Sequence, residues 1–248
     1  MDMTPGRRLT LAVSIPVALA LIGWGGLSAA AAVGTGQYKF DTPLTVSDGT
    51  LTANTPGSDL TVVPGSTARL SGTLTYSLIR PDITVTRSGV SARCELPTGQ
   101  CGITGTLTVP PSATSVDITT AGGDLTVTNG ITGNVTLSTF GGDLSASGLT
   151  GTARLDSEGG DITATGIASA DVTARSDGGD TTLTFSKVPR DVQVTSEGGD
   201  ISIVVPRGSY QFDVTANGGT PSAPASDPGA RDVISATSDG GDVTVSES

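Results

Sequence analysis

A tripeptide, Gly-Gly-Asp, keeps returning through the second half of the chain. It stands at Gly122-Gly123-Asp124, Gly141-Gly142-Asp143, Gly159-Gly160-Asp161, Gly178-Gly179-Asp180, Gly198-Gly199-Asp200 and Gly240-Gly241-Asp242. Gly218-Gly219-Thr220 is the same element without its acid. Successive third residues are 19, 18, 19, 20, 20 and 22 positions apart. Self-similarity at such a period marks a repeat architecture, in which one unit cannot bury its own apolar face and must stack on its neighbours.

The register inside the repeat predicts strands. After each Gly-Gly-Asp the apolar residues fall on alternate positions: Leu125 and Val127, Ile162 and Ala164, Ile201 and Ile203, Val243 and Val245. Thr and Ser lie between them. This period of two describes a strand with one buried face. A second such strand precedes each corner, as at Val116 and Ile118, Val135 and Leu137, Val192 and Val194, or Phe212 and Val214. Ile131, Leu149, Ile167 and Val188 form a third apolar point between the two. About 19 residues are too few for a strand–helix–strand crossover, which needs roughly 30. The expected fold class is therefore all-β, a parallel β-solenoid whose strands pair with their counterparts one repeat later. Parallel crossovers are nearly always right-handed, so a right-handed coil is expected. Rungs about 4.8 Å apart would make seven repeats a rod core of about 35 Å. Glycine suits the corners through its tolerance of positive φ and of close backbone approach. Asp suits them because its carboxylate can accept backbone N–H bonds at a turn.

Composition narrows the function. Aromatic residues are 3% of the chain, which fits a thin aliphatic core. The net charge is −11; residues 1–36 carry Asp2, Arg7 and Arg8, so the remainder is −12. An acidic exterior argues against nucleic acid, which rewards basic patches. There is no histidine, which removes the commonest general base and metal ligand.

Three segments are expected. Residues 1–36 hold a cytoplasmic stub and an uncharged run from Leu9 to Val33, preceded by Arg7 and Arg8. Such a run can span a bilayer as an N-terminal transmembrane helix, and the arginines favour a cytoplasmic N-terminus. The alternative is a signal peptide cleaved near Ala29–Ala32. Either reading exports the rest. Residues 37–111 read as early, irregular rungs. Asp48-Gly49 and Gly57-Ser58-Asp59 there resemble degenerate corners. Cys94 and Cys101 flank a turn containing Pro97 and Gly99, which reads as a disulfide-stapled hairpin. For a loop this short the chain-entropy estimate is roughly 2.5 kcal/mol. Two free thiols are the alternative, and a zinc site lacks further ligands. Residues 112–248 form the regular Gly-Gly-Asp solenoid. The Pro-rich stretch 220–232 replaces one strand by a loop.

An apolar anchor, a strand ending in Val109-Pro110, and then Val116-Asp-Ile-Thr-Thr-Ala-Gly-Gly-Asp-Leu-Thr-Val127 resemble the bacterial candidate adhesins of the DUF4097 type. The resemblance covers roughly residues 40–248. It implies a cell-surface β-strand-repeat protein with no established enzymatic activity, and it defines no functional residues to carry over.

The residues themselves leave two function classes. The first is a non-enzymatic cell-surface module, an adhesin or envelope-interaction protein. Its ligand would be a protein or polysaccharide, and its membrane contact the N-terminal helix. The second is a carbohydrate-active β-helix enzyme, a polysaccharide lyase or glycosidase using two carboxylates. The acids recur with the period, whereas a catalytic pair should break it. No nucleophile-elbow, zinc-protease or phosphate-loop motif is present. No cofactor and no catalytic residue is implied. The carboxylates Asp143, Asp161, Asp180 and Asp200 are candidates for calcium, with a second acid column at Glu158, Asp177, Glu197 and Asp239. The competing reading makes the Gly-Gly-Asp acids turn residues bonded to backbone N–H groups. Phe140 sits beside a corner where other repeats carry Ala, Glu, Asp or Asn, and reads as an exposed side chain.

Overall fold

The computed structural model describes residues 35–77, 82–86, 89–93, 101–128 and 130–248. The apolar run Leu9–Val33, where the anchor or signal helix is expected, lies outside the described residues, as does Cys94. Among the described residues every regular element is a strand, and no helix is long and apolar enough to cross a membrane.

The first part of the chain forms β1 (Thr35–Pro43), β2 (Thr50–Pro56), β3 (Ser58–Pro64), β4 (Arg69–Ser77), β5 (Asp82–Thr86), β6 (Gly89–Arg93) and β7 (Cys101–Val109). The repeats then supply pairs of strands. These are β8 (Ser115–Ala121) and β9 (Leu125–Val127), β10 (Asn134–Thr139) and β11 (Leu144–Ser147), β12 (Ala153–Ser157) and β13 (Ile162–Ile167), β14 (Asp171–Ser176) and β15 (Thr181–Phe185), and β16 (Asp191–Ser196) and β17 (Ile201–Val205). The last two pairs are β18 (Tyr210–Ala216) with β19 (Pro221–Ser222), and β20 (Asp232–Ser238) with β21 (Val243–Glu247).

Two sheets result, and each repeat gives one strand to each. One sheet has eleven strands in the order β1-β4-β7-β3-β9-β11-β13-β15-β17-β21-β19. The other has ten in the order β18-β20-β16-β14-β12-β10-β8-β2-β6-β5. From β8 onward every pairing is parallel, and all but the bulged β13–β15 pair keep the register of the repeat throughout. The expected inner column three residues past each acid is present: Val127, Ala146, Ala164, Leu183 and Ile203 are register partners and all buried. Val62 extends this column on one side and Val245 on the other. Burying each such Leu, Ile or Val contributes about 1.5–3 kcal/mol.

The order of the rungs differs from the order of the sequence. The final pair, β20 and β21, inserts between the pair β16–β17 and the pair β18–β19. Residues 210–222 are therefore the end of the stack. The early strands are also inverted: β2 and β3 lie next to the first Gly-Gly-Asp rung, with β6 and β7 outside them.

Three local expectations are corrected. Asp48-Gly49 is not a degenerate corner but a two-residue turn with both φ values positive, +49° and +75°, closed by reciprocal bonds between Ser47 and Thr50. The strands beside the two cysteines do not form a hairpin with each other. β6 pairs with β5 and β2 in one sheet, while β7 pairs with β4 and β3 in the other. β6 and β7 thus belong to different sheets, as do the strands on either side of each Gly-Gly-Asp. Finally, Val188 is 49% exposed. A bulge puts Phe185 opposite Ile167, and Phe185 fills the inner position that Val188 was expected to take.

Near the start of the stack, the column Leu125–Leu60 continues through Gly105 and Gly72 to Phe40. A Cβ added at Gly72 would lie 2.8 Å from Phe40 Cζ. The aromatic ring thus occupies the space that Gly72 leaves open.

Candidate functional site

The repeated corner is built from three interlocking parts. The first is a carboxylate ladder. Asp143 N donates to Asp124 Oδ1 at 2.9 Å, Asp161 N to Asp143 Oδ1 at 2.9 Å, and Asp180 N to Asp161 Oδ1 at 2.8 Å. The chain of bonds continues from Asp200 to Asp180 and from Asp242 to Asp200, both at 2.8 Å. Each acid therefore fastens the next rung. The ladder starts at Asp59, which accepts from Asp124 N at 3.2 Å, so Gly57-Ser58-Asp59 is a true member. It ends at Thr220, whose N–H donates to Asp242 Oδ1 at 2.8 Å.

The second part is steric. The middle glycine of each corner lies directly on the corner below. A Cβ on Gly160 would overlap the Gly142 carbonyl and sit 2.6 Å from Asp143 Oδ1. The first glycine has more room: a Cβ on Gly159 would be 3.5 Å from Gly141 Cα, an ordinary contact. Among these corners only Gly57 and Gly122 have a positive φ, +64° and +99°. Close approach, more than left-handed backbone, is what the repeat asks of glycine.

The third part was not anticipated. A Ser or Thr stands four residues before each acid, and Thr120, Thr139, Ser157, Ser176, Ser196 and Ser238 are all buried. Ser176 Oγ donates to Gly179 O at 2.8 Å and accepts from Gly179 N at 3.0 Å. Ser157 does the same with Gly160. The signal was legible as Ser/Thr-x-Gly-Gly-Asp with the hydroxyl in phase with the inward apolar residues, as Ser157 is with Ala153 and Leu155, but a polar side chain there does not by itself announce burial.

The candidate calcium ligands Asp143, Asp161, Asp180 and Asp200 are thus lined up along the stack, each with one carboxylate oxygen engaged by an amide. Among the described residues no three His, Cys, Asp or Glu side chains gather into a cation-holding group. The second acid column is partly tied up by cations. Arg175 Nε donates to Asp177 Oδ1 at 3.0 Å and its Nη2 to Glu197 Oε1 at 2.8 Å, bridging two rungs. The Asp177 bond and charge, with Glu197 beyond, push the Arg175 pKa up. Asn217 Nδ2 donates to Asp239 Oδ1 at 2.7 Å. Phe140 is 51% exposed in this column, as expected. Of the two cysteines, only the backbone of Cys101 is described, so the Cys94–Cys101 bond falls outside the described residues.

Outward, the eleven-stranded sheet presents a row of hydroxyls in register: Thr61, Thr126, Ser145, Thr163, Thr182 and Ser202. Where the antiparallel strands join, a shallow groove of ≈ 480 Å³ opens on this sheet. Its lining includes Lys39, Asp41, Ser71, Thr73, Thr104 and Thr106. Asp41 is held by Arg69 at 2.6 Å.

The sequence from residue 49 to 246, most of the chain, matches one family model, Toastrack DUF4097. The chain belongs to the Toastrack DUF4097 family. The Toastrack match begins one residue before β2 and ends within β21, so it takes in both the carboxylate ladder and the inserted final rung. No curated protein matches the sequence. Among solved structures, this Toastrack chain is similar to a candidate adhesin from Bacteroides fragilis, at 14% identity and TM-score 0.49, covering 85% of this chain and 97% of that one. It is also similar to a candidate cell adhesion protein from Clostridium sporogenes, at 11% identity and TM-score 0.34, covering 86% of this chain and 100% of that one.

Proposed function

We propose that this Toastrack protein is a non-enzymatic module of the bacterial cell surface, a right-handed β-solenoid that makes adhesive or envelope contacts. The single observation that carries the reading is the outward hydroxyl row of the eleven-stranded sheet, repeated rung after rung from Thr61 to Ser202. Such a face offers many equivalent hydrogen-bonding groups and no unique centre. It suits a repetitive partner, a polysaccharide or an extended protein surface, engaged through many weak contacts. The repeating acids are used for holding rungs together. The groove supplies the carboxylate Asp41, already paired with Arg69. A glycosidase needs two carboxylates flanking the scissile bond.

In this reading the segment 1–36 anchors the protein in the membrane by a single helix, with residues 37–248 outside; secretion after cleavage is the alternative. Arg7 and Arg8 before the apolar run support that orientation. The test is a glycan and protein ligand array probed with residues 37–248, with and without calcium, beside an assay for new reducing ends on the same polysaccharides. Binding without product supports the module. Product formation overturns it in favour of the carbohydrate-active enzyme.

A further inference from the structure

The end of the stack departs from the repeat in several ways at once. β19 is two residues long and both are exposed. On β18 the inner side chains Phe212, Val214 and Ala216 are only partly buried against the core. The corner has lost both its hydroxyl and its acid, for Ala216 and Thr220 stand where other rungs carry Ser or Thr and Asp. A ladder acid accepts the amide of the next rung, and among the described residues no rung lies beyond Thr220 to supply one.

The free edge of β18 would otherwise present unpaired backbone groups, the usual template for association. Residues 223–231 lie against it. Asp227 N donates to Tyr210 O at 2.8 Å, and Phe212 N donates to Ser226 Oγ at 2.9 Å. The segment is fixed in turn by Ser209 Oγ on Asp227 Oδ2 at 2.6 Å and by Gly229 N on Asp227 Oδ1 at 2.9 Å. Pro224 and Pro228 lie within it, and Pro221 lies on the neighbouring β19; proline offers no N–H to an incoming strand.

We propose that residues 223–231 are a cap that blocks a self-association edge, and that the occupant of this edge when uncapped is a second copy of the chain, paired antiparallel through β18. The outward backbone groups belong to Tyr210, Phe212, Val214 and Ala216, since the cap bonds fall on Tyr210 and Phe212 and the direction alternates along a strand. Pairing two copies about Val214 sets Phe212 against the second copy's Ala216, a large side chain against a small one. It sets Asp213 against the second copy's Thr215, so no like charges meet. The partly buried Phe212 and Val214 would then be covered, and the ten-stranded sheet would run on into its copy.

The experiment uses the full chain in detergent. In one variant Ser226→Ala and Asp227→Pro remove both cap bonds without changing chain length. A second variant adds Val214→Pro, which deletes an outward N–H while leaving the pairing with β20 intact. Molar mass is read by light scattering over a hundredfold range of concentration, and amide exchange is read at Phe212 and Val214. The uncapped chain is expected to exchange faster at Phe212 when dilute and to double its mass when concentrated, with Val214→Pro returning it to the mass of the unaltered chain. A mass unchanged at all concentrations overturns the proposal. So does a dimer that survives Val214→Pro, or a Phe212 amide still protected in the dilute uncapped chain.

Discussion

The amide of Asp180 donates to the carboxylate of Asp161 at 2.8 Å, one rung away, and Asp161 in turn donates its own amide to Asp143. The acids look like a column of unrelieved like charge when read from the sequence. In the folded chain they form a relay in which each carboxylate faces a backbone dipole.

That relay needs an acceptor oxygen and no charge. Asp161→Asn keeps the oxygen and removes one repulsive charge from the column, and should change stability by less than about 1 kcal/mol. Ile203→Asp instead places a carboxylate between Leu183 and Val245 in the buried column, at a cost of several kcal/mol. Thermal unfolding of both variants, with and without calcium, separates the two roles. A larger loss for Asp161→Asn would make the corner acids the main support of the stack.

The two glycines of one corner should respond oppositely. Gly160→Ala drives a methyl into the Gly142 carbonyl and should cost about 2–3 kcal/mol by forcing the rungs apart. Gly159→Ala meets only ordinary contacts and should stay within about 1 kcal/mol of the parent. Chemical denaturation midpoints at an unchanged slope measure the difference.

Thr181 occupies the inner column between Ile162 and Ile201, fully buried, and its hydroxyl has no hydrogen-bond partner. Thr181→Val keeps the shape and removes the stranded polar atom. It should stabilise the fold by about 1–2 kcal/mol. At roughly 2–4 °C per kcal/mol for a chain of this size, calorimetry should register the rise in Tm. A fall in Tm would show that the hydroxyl has a partner after all.

The cap should respond to acid. The bond from the Ser209 hydroxyl, and then the Gly229 N–H, hold the Asp227 carboxyl below its ordinary value. Its contribution is therefore full above the unfolded carboxylate pKa, about 3.9, and is lost as pH falls through the lower folded value. The Gly229 amide shift, followed by NMR, should titrate below pH 4 in the parent chain and stay flat in Asp227→Asn. Equal titration in both would assign the transition to another group.

Much of the fold was legible because the repeat states it redundantly. Six copies of Gly-Gly-Asp, with apolar residues on alternate positions at both sides, fix strand identity, inward face and register, since a one-residue slip would turn Leu183 or Ile203 outward. The acid ladder was half legible. An Asp at a corner announces a bond to an amide, but the donor belongs to the next rung, and only stacking supplies it. The buried Ser/Thr column was missed because a hydroxyl at the end of a strand does not read as core, although Ser157 and Ser176 lie in phase with the inward residues Ala153, Leu155, Val172 and Ala174.

Rung order belongs to the tertiary structure. A parallel strand pairs equally well with any neighbour of the same register, so local sequence cannot say whether residues 210–222 or 232–247 come last. The lost acid at Thr220 carries the answer in the sequence, yet it acquires that meaning only once the direction of the carboxylate ladder is known. The strands around Cys94 and Cys101 make the same point. A Pro-Gly turn between two short strands reads as a hairpin because local signals reward the nearest pairing. The pairing instead sends β6 and β7 to opposite sheets, where β6 lies beside β2 and β7 beside β3.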